Sequence, residues 1–338
     1  MTRLKQLPDL PKEFSAANGM EIAMKRLSIL LIVFIGYGLC ILPTNHTMAQ
    51  EPVQKTYGSP DEAATALMKS LAAGNPAEML AILGPDAREL TDSGDPVSDE
   101  RDRKRFVAAY KAKHAIQSEG PDKAILEVGE DAFPFPIPIV RLRERWAFDA
   151  AEGKEEVLNR RIGRNELNTI QTLLAIADAQ FEYANRAPPG TGVREYAQKF
   201  TSSEVTKDGL YWPAKDGEEQ SPLGSLVANA VRAGYEPKQR ETGESSQPYH
   251  GYHFKMLLAQ GRNAPGGTQP YIVQGRMIGG FAVIAYPADY GNSGVKTFII
   301  SHDRIVFEID LGEDTKQISE AVRTFDPTSS WKEVKTGN

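Results

Sequence analysis

Cysteine is nearly missing from this chain: Cys40 is the only one in 338 residues. A lone thiol closes no intramolecular disulfide, and Leu39 stands before it where lipidation needs a small residue. Cys40 also falls in a stretch that reads as a removable leader, so the mature chain is expected to hold neither a disulfide nor a thiolate metal site. The thiol route to nucleophilic catalysis closes with it. Other signatures are absent too. There is no Gly-x-Ser-x-Gly elbow, and the loop Gly261 to Gly267 lacks the Lys-Ser/Thr ending of a phosphate loop. Excess positive charge is missing, with a net charge of −6, which argues against nucleic acid as a partner. Composition is that of a globular protein, 41% hydrophobic and 25% charged.

Long apolar runs are also scarce. The one that stands out is Leu27 to Leu42, 16 residues interrupted by Gly36 and Gly38, short for a membrane span. Lys25 and Arg26 precede it and Pro43-Thr-Asn-His-Thr-Met-Ala49 comes after it. Basic head, apolar middle and small-residue end make a secretory signal peptide over residues 24–49, cleaved after Ala49. An uncleaved anchor is the competing reading. Residues 1–23 are polar and lie upstream of the basic head, as an extension before a true start at Met20 or Met24. The expected address is outside the cytoplasm, with no membrane span once the leader is gone.

The chain beyond the leader divides into two modules. In the first, 56–156, Ser59-Pro60-Asp61-Glu62 starts a helix with a Ser cap, Pro at the first position and acids in the first turn. Asn75-Pro76 restarts a short one, and a third is expected over Ser98 to Ile116, with Asp99 to Arg105 as a solvated face and His114 near the buried side. Strands come next: Ala124 to Val128, Phe133 to Leu142 and Arg145 to Asp149. Pro134, Pro136 and Pro138 recur at every second position, so their missing donors fall on one edge. That predicts a blocked sheet edge; a polyproline docking segment is the alternative. Helices first and a curved antiparallel sheet after resemble the cystatin-like superfamily of the nuclear-transport-factor-2 type.

The second module, 158–334, opens on a helix near Glu166 to Ala184, where Leu167, Ile170, Leu174, Ala177, Phe181 and Ala184 step by three and four. Its best use is as the cover of a sheet; a ligand for a partner's groove is the other. A short helix is expected over Leu223 to Ala233, a surface loop over Ala187 to Gly192 and a mobile loop over Lys238 to Gln247. A sheet begins at Tyr249 to Ala259. Phe281 to Pro287, Val295 to Ile300 and Ile305 to Leu311, separated by turn residues, form a consecutive antiparallel meander. A terminal helix, Glu313 to Thr324, closes the chain.

Arg-Arg-Ile-Gly-Arg-Asn-Glu-Leu at 160–167, Asp-Gly-Leu-Tyr-Trp-Pro at 208–213, Pro-Tyr-His-Gly-Tyr-His-Phe at 248–254 and Gly-Gly-Phe-Ala-Val-Ile-Ala-Tyr-Pro-Ala-Asp-Tyr-Gly at 279–291 resemble the bacterial DUF2950 family. Gly-Asp-Pro-Val-Ser-Asp at 94–99 and Phe-Pro-Ile-Pro at 135–138 extend the resemblance over nearly all the mature chain. The resemblance implies a secreted or periplasmic protein of a Gram-negative type bacterium and names no activity. Asp303-Arg304 departs from the Asp-Gly expected at a hairpin tip, which predicts a wider turn. The second module also resembles the globular head of type IV pilins. Glu155 to Arg161 stands where a pilin has its apolar half-helix, so a filament subunit is not expected.

The chemistry is sparse. His250 and His253, three apart on an expected strand, point to opposite faces and share no ion without distortion; His302 with Asp303 or Asp289 is the remaining metal option. No metal and no cofactor is assigned. Aromatic side chains crowd the second module, and two readings stay open for them: ordinary core and turn packing, or a recognition face for a protein or polymer. That face would comprise Tyr211, Trp212, Tyr249, His250, Tyr252, Arg276 and Tyr290, with Lys255 as a further polar handle. The sequence therefore describes an α+β protein, a cystatin-like domain followed by a pilin-head-like one. Its reading leans away from an enzyme, toward an envelope protein that binds another protein or a surface structure. The alternative is a hydrolase or ligand-binding protein using a cavity in the first sheet.

Overall fold

Ser59 accepts from the Glu62 N–H and Pro60 takes the first helical position, so helix α1 runs Pro60–Ala73 and ends on Gly74 in the left-handed region. Asn75 and Pro76 repeat the device for α2, Pro76–Leu83. A short α3, Arg88–Thr91, leads to α4, Pro96–Ala112, capped by Asp95. The computed structural model describes residues 54–186, 193–203, 206–215, 217–236 and 247–335. The leader 24–49 with Cys40 and Ala49, the extension 1–23, and the loops 187–192 and 238–246 lie outside the described residues. Gln50–Asn338 is one compact unit.

The first sheet holds β1 His114–Ser118, β2 Lys123–Val128, β3 Phe133–Pro134, β4 Ile139–Leu142 and β5 Arg145–Phe148 in the order β1-β2-β4-β5, with β3 also paired to β2. Its apolar face packs on α1 and α2 through Leu67, Ile82, Leu126, Ile139 and Phe148. Two expectations change here. The third helix stops at Ala112 and His114 opens an edge strand, exposed and stacked on Tyr110 with ring centres 3.8 Å apart. The proline run is not one strand on an edge: β3 and β4 flank Pro136 and Pro138, and β4 lies between β2 and β5.

Asp149 caps α5, Ala150–Asn185, a continuous helix of 36 residues about 54 Å long. It starts well before the apolar stripe and runs through the boundary expected at 156/158. Its N-terminal half packs on the first core by Ala150 and Val157, its C-terminal half on the second by Ile170, Leu173, Ile176 and Ala177. Leu167, expected in the stripe, is 67% exposed.

Two short parallel strands, β6 Lys199–Thr201 and β7 Gly209–Tyr211, precede α6, Gly224–Ala233. The main sheet then forms from β8 Tyr252–Leu257, with short strands β9 Ala259–Gln260, β10 Gln269–Pro270, β11 Ile272–Val273 and β12 Arg276–Met277 after it. The expected meander is present as β13 Ala282–Pro287, β14 Lys296–Ser301 and β15 Val306–Asp310. Helix α7, Thr315–Ala321, and strands β16 Thr324–Phe325 and β17 Lys332–Glu333 complete the order β17-β15-β14-β13-β8. Both faces of this sheet are covered. Met256 meets Gln180 of α5 while its neighbour Lys255 donates to the Ser319 and Glu320 carbonyls of α7, since alternate residues face opposite sides. Every residue of β13 is buried. Gly294, in the turn before β14, leaves room for Tyr252: a Cβ there would sit 2.1 Å from its hydroxyl.

Candidate functional site

Where α4, α5, α6 and the entry to β8 meet, the chain buries polar groups. Asp95, 1% exposed, accepts from Ser98 N–H at 3.0 Å, and its other oxygen accepts from Gly251 N–H and the Tyr235 hydroxyl, both at 2.8 Å. One carboxylate thus caps a helix, fixes the residue after α6 and anchors the turn before β8. The turn is strained. His250 adopts φ +53 and Gly251 φ +77, a conformation that L side chains seldom take. A Cβ on Gly251 would meet Asn165 Nδ2 at 2.7 Å, so glycine is required for the approach to α5.

Asn165, 3% exposed, donates to the Ser293 carbonyl at 2.9 Å. One turn earlier Arg161 donates to the Glu89 and Leu90 carbonyls at 2.9 Å and to Asn292 Oδ1. Asn292 in turn donates to the Asp92 carbonyl at 2.8 Å. Burial lowers the Arg161 pKa against the nearby Asp99 charge, and burial raises that of Asp99. Stretches 94–99, 160–167, 248–254 and the end of 279–291 therefore converge, far apart in sequence, on one buried junction.

Beside it opens an apolar slot of ≈ 120 Å³ between α5, α6 and the turn, lined among others by Ile176, Leu226, Val227, Tyr235, Tyr249 and Phe254. Tyr235 and Tyr249 meet edge to face at 4.9 Å, and Tyr249 leans on His250 at 4.2 Å. Burial pushes both phenols above their ordinary range, aided at Tyr235 by the Asp95 charge. It pushes His250 down, with Arg101 adding to the effect and Asp95 opposing it. The imidazole is held toward its neutral form, and its buried Nδ1 has no hydrogen-bond partner.

Of the expected recognition residues, only Tyr249 and His250 reach this place. Tyr252 is fully buried and donates to the Lys296 carbonyl, so it belongs to the core and to no surface. Trp212 is 7% exposed, with Arg186 and Lys207 over its ring and its indole N–H on the Glu219 carbonyl. Tyr211 packs half-buried against the second core. Arg276 is exposed and paired with Glu195 at 2.8 Å, and Tyr290 donates to Asp310 at 2.9 Å. Lys255 is a buried helix-end donor, not a handle. His250 sits in the turn and His253 on β8, and among the described residues no group of His, Cys, Asp and Glu is arranged to hold a metal ion.

Local sequence patterning does not single out Asp95, Arg101, Arg161, Arg164, Asn165 or Tyr235. The available signal was the recurrence of arginine at 161 and 164, one helix face, with acids at 95, 99 and 102. Comparison with curated proteins and with solved structures gave no match. The four converging stretches all lie within 54–334, the residues matched by the family model DUF2950, a protein of unknown function, and the chain belongs to that family.

Proposed function

We propose that this protein is a non-enzymatic binding module of the cell envelope, which seats an apolar side chain of a partner protein in the slot between α5, α6 and the turn at 248–250. The observation that carries the reading is the slot itself, apolar and rimmed by Tyr249 and by Tyr235, whose hydroxyl is fixed on Asp95. A cavity near 150 Å³ takes a benzene-sized group, so ≈ 120 Å³ suits one aliphatic or small aromatic side chain. The envelope address rests on the leader pattern at 24–49. His114, expected near the buried side of the first module, is exposed and stacks on Tyr110.

A photo-crosslinking residue placed at exposed Glu236, on the slot's rim, is expected to trap one envelope protein in living cells. The same residue at Arg143, in the exposed β4–β5 turn, should not, and Tyr249→Ala should cut the Glu236 adduct about tenfold. Identical adducts from both positions, or none, would overturn the reading.

A further inference from the structure

β1 is a sheet edge without the usual protections. It ends the order β1-β2-β4-β5, and no strand among the described residues pairs with its outer side. The opposite edge is covered, since Tyr57 exchanges backbone bonds of 2.8 and 2.9 Å with Trp146 of β5. In β1, His114, Ala115, Gln117 and Ser118 are exposed, and Ile116 is half-buried against the first core. Edges are normally blunted by Lys, proline or a bulge. His114–Ser118 holds neither residue and pairs with β2 one for one.

Glu119 N–H donates to the Lys123 carbonyl and Gly129 N–H to the Lys113 carbonyl, both at 2.8 Å. Residues alternate along an antiparallel ladder, so Lys113, Ala115, Gln117 and Glu119 turn their backbone groups toward β2. His114, Ile116 and Ser118 turn theirs outward. Lys113 stands just before this run, itself extended at φ −163 and ψ 138, and Glu119 just after it. Under a two-fold axis through Ile116, that residue meets its own counterpart, His114 meets Ser118, and Lys113 meets Glu119. All three outward residues then oppose outward residues, and opposite charges meet at both ends of the seam. A register centred one residue away loses one of those pairs and sets Lys113 against Gln117 or Pro121. Within one chain the two charges make long contacts, Lys113 to Glu130 at 3.9 Å and Glu119 to Lys123 at 3.8 Å.

We propose that β1 pairs antiparallel with β1 of a second copy of this chain, centred on Ile116, so that the two first sheets run on as one. A seam of one short strand is a small interface, so the dimer is weak and forms as concentration rises.

The test is sedimentation velocity of the mature chain, Gln50 to Asn338, over a rising concentration series. The weight-average mass should climb from monomer to dimer. Ser118→Pro deletes an outward N–H while sparing the bonds to β2, and should abolish the climb. Lys113→Glu and Glu119→Lys, each alone, put like charges across both ends of the seam and should weaken the dimer about tenfold. Together they restore opposite charges and should return the affinity to that of the unaltered chain. If Ser118→Pro fails to fold, the charge series decides. A monomer at every concentration overturns the proposal, whether the edge then stays free or takes another protein's strand. A dimer that ignores Ser118→Pro forms through a different face and overturns it too. Single charge changes without effect, or losses that add in the double variant, overturn the pairing centred on Ile116.

Discussion

Asp95 does at one residue what three caps would do in separate places. Its partners belong to α4, to the residue after α6 and to the turn before β8, and all three contacts are buried. Removing the carboxylate would leave two backbone N–H groups and a phenol without acceptors, and each orphaned buried donor costs about 1–3 kcal/mol. Asp95→Ala is therefore expected to destabilise the protein by about 3–5 kcal/mol in urea unfolding. Tyr235→Phe, which removes only the hydroxyl, should cost about 1 kcal/mol, and almost nothing when Asp95 is already Ala. Additive losses in that double-mutant cycle would mean that the hydroxyl and the carboxylate are not energetically coupled.

Among the elements, α5 shows best why some of the fold was readable and some was not. Its C-terminal half carries an apolar stripe, since it covers a broad sheet, and periodicity finds it. Its N-terminal half reads Ala-Ala-Glu-Gly-Lys-Glu-Glu-Val-Leu, with too few apolar residues for a stripe. Beside the packing of Ala150 and Val157 it makes a close backbone approach: a Cβ on Gly153 would lie 2.5 Å from the Pro136 carbonyl oxygen and 2.6 Å from Ile137 Cα. Such a contact between backbones leaves no mark in local patterning. The single proline strand fails for the same reason, because the chain bends around α5 where sequence alone shows an even alternation. Gly153→Ala should thus cost at least about 1–3 kcal/mol, the range for overpacking, with backbone rather than a flexible side chain in the way. Leu167→Ala, inside the predicted stripe yet 67% exposed, should change stability by less than about 0.5 kcal/mol. A large loss at Leu167, measured by the same urea titration, would show that it is covered in solution.

At the scale of the whole molecule, the site and the cohesion of the fold have one origin. Tyr249 and His250 are legible as unusual residues, but their meaning depends on Asp95, which lies 156 positions from Gly251. No local pattern encodes that pairing, and the charged stretch after Asp95 reads as a solvated face because half of it is one. The same convergence joins two hydrophobic cores. They share α5, and Arg161 holds the Glu89 carbonyl and Asn292 with Nη1 and the Leu90 carbonyl with Nη2. Unfolding either core strips its half of α5 of packing and breaks the buried contacts at the junction, so the cores are expected to unfold together. Calorimetry on the mature chain is expected to give one transition with calorimetric and van't Hoff enthalpies equal. Arg161→Ala combined with Asn292→Ala removes part of the side-chain weld, leaving the helix and the Asp95 contacts with Tyr235 and Gly251, and should lower the enthalpy ratio. Two transitions in the unaltered protein would show that α5 bends or frays between the cores, and the slot would then open and close independently of the first sheet.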